Sequence, residues 1–181
     1  MKPKALLIAA AFAAVLLAGL GSLWLGLAPG RLQQAPEVSF TTLQGQRLSM
    51  SSLRGRPVLV NFWASTCRGC LAEMPQLVKL YREFAPRGLE VIGIAMAYDP
   101  PDHVVALSKA RNIPYPIALD INSKAARAFG DVGATPTSFL IAPDGRVAHR
   151  KAGELDIHMV RQLIAGMLTQ SVAGAPPTEV N

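Results

Sequence analysis

Cysteine is nearly missing from this chain: two occur in 181 residues, at positions 67 and 70. Tetrahedral zinc takes four ligands, and no second cysteine pair exists to complete such a site. Histidine is scarce too, and His103, His149 and His158 are scattered without metal-ligand spacing. No metal site is expected. There is no run of lysines and arginines interleaved with aromatics, so the formal net charge of +6 does not predict nucleic-acid binding. That charge reads as solubility, or as weak attraction to anionic lipid headgroups. No internal repeat is visible.

Charge is wholly absent from Ala5 to Gly30, between Lys2 and Lys4 on one side and Arg31 on the other. About 20 apolar helical residues cross a bilayer, and this run is long enough. Trp24 near its far end suits the membrane interface, and the N-terminal lysines predict that this end stays in the cytoplasm. The competing reading is a cleaved signal peptide, with Gly26-Leu27-Ala28 as a small-x-small cleavage site. The run exceeds the roughly 7–15 residues of a signal core, which favours an anchor. Both readings place the remainder outside the inner membrane, in an oxidising compartment. The segment has no cysteine for lipid attachment, which excludes a lipoprotein.

Beyond this expected anchor (1–30), composition suggests a linker over 31–36, one domain over 37–169 and a flexible Ala/Gly/Pro-rich tail over 170–181. Short strands are expected at Val38–Phe40 and Gln44–Leu48, with a helical turn at Ser51–Arg54. Continuous apolar runs at Val58–Phe62 and Leu89–Met96 predict buried strands in a covered sheet. Ile117–Leu119 makes a further strand, and Thr137–Ile141 with Arg146–Arg150 form a hairpin about Pro143-Asp-Gly145. Helices are expected at Cys70–Phe84, Asp102–Arg111, Ser123–Phe129 and Ile157–Leu168, the first bent by Pro75. Strands alternating with helices imply a mixed α/β sheet with helices on both faces.

The two cysteines lie where the apolar strand gives way to a helical pattern, in Asn61-Phe-Trp-Ala-Ser-Thr-Cys67-Arg-Gly-Cys70. Cys-x-x-Cys at a strand-to-helix junction is the minimal apparatus for thiol–disulfide exchange. A helix N-terminus carries partial positive charge and unpaired N–H groups, so it favours the nucleophilic thiolate. Cys67, before the helix, is expected to attack, and Cys70, one turn in, to be shielded and to resolve the mixed disulfide. Arg68 either favours the thiolate further or is a solvated helix residue. A purely structural disulfide is disfavoured, because so small a loop constrains little unfolded chain.

These residues resemble the active-site segment of thioredoxin-fold proteins. Gly133-Ala-Thr135-Pro136-Thr137 resembles the loop that carries that fold's cis-proline, and Cys70-Leu-Ala-Glu73-Met-Pro75 resembles the membrane-anchored, extracytoplasmic TlpA/ResA/DsbE group. The similarity runs from about Pro36 to Met167, and Asp102–Leu119 fits the helix-plus-strand insertion of that group. The resemblance implies a thioredoxin-like fold and a protein-disulfide reductase with no cofactor beyond the Cys67–Cys70 pair. It implies protein thiol or disulfide substrates and recharging by a membrane electron donor, with cytochrome c maturation as one expected role. It implies a cis bond before Pro136, with the backbone of Thr135 pairing an extended substrate segment. It also implies that Glu73 helps move protons at the pair, where the plainer reading is a helix-start glutamate. Asn61 stands where thioredoxin has a buried aspartate, and cannot titrate. Thr66 and Gly69 depart from the tryptophan and proline of many relatives, and Gly69 is expected to weaken the first helical turn. Trp63 is either a core aromatic or a substrate contact. The alternative of a copper-binding or metal-delivery module would want Cys-x-x-x-Cys with a nearby histidine. A peroxidase relative would want a pocket around a single attacking cysteine.

Overall fold

A computed structural model describes residues 33–173. The expected membrane anchor or signal segment lies outside the described residues. Among those described, no helix is long and apolar enough to cross a membrane.

The described chain forms a short hairpin, β1 (Ser39–Thr41) and β2 (Arg47–Ser49), and then a strand at the centre of the molecule, β3 (Val58–Trp63). Helix α1 (Arg68–Phe84), β4 (Glu90–Ala95), α2 (Pro101–Ala110), β5 (Ile117–Leu119) and α3 (Lys124–Ala128) follow. The chain closes with β6 (Thr137–Ile141), β7 (Val147–Ala152) and α4 (Ile157–Ala173). The main sheet has the order β5-β4-β3-β6-β7. β3 pairs parallel to β4 and antiparallel to β6, so the sheet is mixed.

All six residues of β3 are buried, as expected for an apolar run covered on both faces. Side chains alternate across a strand, so the two faces of β3 serve different cores. Val58, Val60 and Phe62 pack with Phe40 and Leu48 of the hairpin, with Ala126 of α3 and with Phe129 just after it. Leu59 and Trp63 pack on the other side with Met74, Leu77 and Leu80 of α1 and with Val160 and Ile164 of α4. Each such side chain contributes about 1.5–3 kcal/mol by leaving water. Asn61 shares the parity of Leu59 and Trp63, so its amide faces α1.

Three boundaries differ from the sequence expectation. Helix α1 begins at Arg68 rather than Cys70, because the Cys67 sulfur accepts the N–H of Cys70 at 3.1 Å and caps the first turn. It continues through Pro75 to Phe84. The expected linker is tied down in its second half. Gln34 bridges to Arg146, and the Ala35 N–H donates to the carbonyl of Gly145 at 2.9 Å. The last helix passes its expected end at Leu168 and reaches Ala173, since Thr169–Ala173 contains no glycine or proline to stop it.

The register decides what meets at the sheet's end. Trp63 is level with Ala95, Phe62 with Thr137, and Thr137 with Ala152. The C-terminal ends of β3, β4 and β7 and the start of β6 therefore share one edge. Segments 64–67, 96–99, 133–136 and 153–156 all emerge there. Loops beyond the carboxyl ends of strands are where α/β sheets place their sites.

Candidate active site

Cys67 and Cys70 form a disulfide, with Cα atoms 5.3 Å apart. The segment leading into it is held by side chains as well as by backbone. The N–H of Cys67 donates to the Ala64 carbonyl at 3.1 Å. The N–H and hydroxyl of Ser65 both donate to the carboxylate of Asp99, which is buried. Cys67 is half-buried, whereas Cys70 is 2% exposed and belongs to the core beside α1. Only one sulfur of the pair is open to an incoming group, and it lies before the first turn, where unpaired N–H groups favour an anion.

Thr135–Pro136 is the cis peptide of the described chain. A Cβ placed on Gly69 would lie 3.5 Å from Cδ of Pro136, so this proline packs on the first turn of α1. Its carbonyl accepts the N–H of Gly153 at 2.8 Å. Thr135 is half-buried, and its hydroxyl lies 3.2 Å from that of Tyr98, an aromatic 60% exposed on the loop after β4.

Glu73 is buried, one turn into α1 beyond Cys70. Oε1 accepts from Asn61 Nδ2 at 2.9 Å and Oε2 accepts from the Leu155 N–H at 3.1 Å. The Asn61 amide also donates to the Ser138 hydroxyl at 2.8 Å. Burial pushes the Glu73 carboxyl above its usual value, because water no longer stabilises the charge. The Leu155 N–H and the Asn61 amide pull it back, and the charge of Glu154 adds a further upward push. Burial likewise raises the phenol of Tyr115, and the nearby Glu73 charge adds to that.

Cys67, Cys70, Glu73, Thr135 and Pro136 are thus gathered at one end of the sheet. Arg68 is exposed on the first turn and forms no ion pair within the described residues. Gly69 packs under Pro136 and the side chain of Glu154, whose Oε1 would lie 3.2 Å from a Cβ there. Trp63 corrects one expectation. It is 1% exposed in the core against α1, so of its two expected readings the structure fits the core aromatic and not the substrate contact. No group of three His, Cys, Asp or Glu side chains able to hold a metal ion occurs among the described residues.

Sequence reasoning missed Tyr98, Asp99, Glu154 and the N–H of Leu155. All four lie just past strand ends, at β4 and β7, and knowing the sheet order would have pointed to them.

The sequence profile of the AhpC/TSA family matches residues 32–150. The chain is 34% identical over 125 residues to the thiol-disulfide oxidoreductase ResA of Bacillus thuringiensis, covering 67% of this chain and 69% of that protein. The ResA of Bacillus subtilis is 29% identical over 126 residues, covering 70% of this chain and 69% of that protein. Among solved structures, a thiol:disulfide interchange protein of the thioredoxin family from Chlorobium tepidum superposes with a TM-score of 0.69 at 30% identity. That match covers 77% of this chain and 98% of the other.

Proposed function

Since this chain belongs to the AhpC/TSA family, as a thioredoxin-fold thiol:disulfide oxidoreductase of the TlpA/ResA/DsbE type, we propose that it reduces disulfides in exported proteins through Cys67 and Cys70. The observation that carries the reading is the unequal exposure of the two sulfurs at the start of α1.

In the reduced protein the Cys67 thiolate attacks one sulfur of a client disulfide. A bond forms from Sγ of Cys67 to that sulfur, and the client's other sulfur leaves as a thiolate. Cys70 then gives its proton to Glu73, whose raised affinity for protons suits it to accept one. The Cys70 thiolate attacks Sγ of Cys67, the Cys67–Cys70 bond closes, and the second client sulfur leaves. The proton on Glu73 passes to solvent or to the departing thiolate. The client gains two electrons and the protein dithiol loses two. No cofactor beyond this pair is required.

The client segment lies extended beside Thr135 and Pro136, where backbone pairing holds it. The uncharged N-terminal run and the lysines before it support a single-pass inner-membrane protein with its N-terminus in the cytoplasm and its catalytic domain outside. Such a compartment keeps free dithiols oxidised, so a membrane dithiol donor restores the reduced pair. Reduction of the haem-attachment cysteines in cytochrome c maturation is the client role that the family type favours.

Full-length Cys70→Ser, expressed in intact cells, is expected to accumulate a reducible adduct with a second protein that Cys67→Ser does not form. Mass spectrometry of the adduct names the client. Absence of any adduct, together with no turnover of a disulfide peptide by the wild type and a small dithiol, would reject the reading.

A further inference from the structure

Glu154 takes no part in the exchange steps, yet the fold sets it at the rim of the site. Its two neighbours are pinned: Gly153 donates its N–H to the Pro136 carbonyl at 2.8 Å, and Leu155 donates its N–H to Glu73 at 3.1 Å. The residue between them therefore has a backbone fixed relative to both the proline loop and α1. Its side chain extends over Gly69, with Oε1 3.2 Å from where a Cβ would stand. Any side chain at position 69 would crowd this carboxylate, so the glycine leaves it its place. Glu154 is exposed and forms no ion pair within the described residues.

The sheet order adds a second wall. Tyr98 follows β4 and Glu154 follows β7, on opposite sides of the β3–β6 pair that carries the disulfide and Pro136. A segment lying along Thr135 and Pro136 would run between an exposed aromatic ring and an unpaired anion.

We propose that Glu154 is a specificity-determining residue that receives a basic side chain which clients carry beside their disulfide. The inference rests on the reductase reading above. Docking displaces water from the rim, and the attraction between the two charges strengthens as the local dielectric falls. Selection of this kind acts on complex formation and weakens with salt.

The test uses the reduced full-length protein and two peptides, each with one disulfide, that differ only in having lysine or glutamate next to a cysteine. The wild type is expected to reduce the lysine peptide about fivefold faster at low salt, the scale of one partly exposed ion pair. Added salt should shrink the preference, Glu154→Gln should abolish it and Glu154→Lys should reverse it. An equal preference in wild type and Glu154→Gln overturns the inference. So does a Glu154→Gln effect that shifts the pH profiles of both peptides alike, because the charge would then act through Glu73 and not on the client. Reduction of both peptides without charge preference removes this inference alone. Reduction of neither removes the reductase reading with it.

Discussion

Asn61 donates one amide to two acceptors in the interior, the Glu73 carboxylate at 2.9 Å and the Ser138 hydroxyl at 2.8 Å. A neutral donor from the central strand thus holds the buried acid of the first helix. An acid at position 61 would oppose it.

Asn61→Asp would set two carboxylates on one site, where both cannot ionise together. Relative to wild type, the variant is expected to lose about 2 kcal/mol of stability at neutral pH and to recover most of it toward pH 4. Chemical denaturation of the oxidised protein at both pH values measures this. A difference that does not change with pH would contradict the shared site.

Glu73 makes a signed prediction of its own. Burial raises its carboxyl in the folded protein above the ordinary value of 4.5. Its stabilising contribution is therefore complete below that unfolded-chain value and declines as pH rises through the folded one. Thermal midpoints of Glu73→Gln should gain on those of the wild type as pH increases. In stopped-flow mixing, decay of the mixed disulfide at neutral pH should slow by about 10²-fold in the variant.

Asp99 accepts both the N–H and the hydroxyl of Ser65, just ahead of Cys67. Asp99→Ala would leave that N–H without a partner, at a cost of about 1–3 kcal/mol. Asp99→Asn keeps one acceptor and should recover part of the loss. Urea midpoints of the two variants separate these outcomes, and equal midpoints would refute the role.

Gly93 sits on β4 with almost no room for a side chain. A Cβ there would meet Ile117 Cδ1 at 2.6 Å, Trp63 Nε1 at 3.2 Å and Tyr115 Cε2 at 3.3 Å. Gly93→Ala is expected to cost about 1–3 kcal/mol through overpacking. The crowded indole should report the change as a shift in tryptophan emission, and an unchanged spectrum and stability would mean that the strands part easily.

Much of this was legible beforehand. The apolar run of β3 and the spacing Met74, Leu77, Leu80 announce a covered strand followed by a helix with one buried face. Two cysteines at their junction can hardly be placed elsewhere, because the pattern is local. Glu154 and Tyr98 could not be read this way. Glu154 stands 85 positions from Gly69 in the chain, and no local pattern records their meeting; it follows from β7 running beside β6 and β6 beside β3. Trp63 stayed open between two readings for a related reason. Sequence places it near the cysteines, whereas strand alternation turns its ring inward. The sulfur cap of α1 was hidden too, because a cysteine does not look like the serine or aspartate that usually starts a helix.

Cys67 alone offers a path to its sulfur, and that path ends between a loop and a helix start. On the proposed reading a client bridge must come to that single half-buried sulfur, so a cystine in an extended segment is a better substrate than one enclosed in a folded chain.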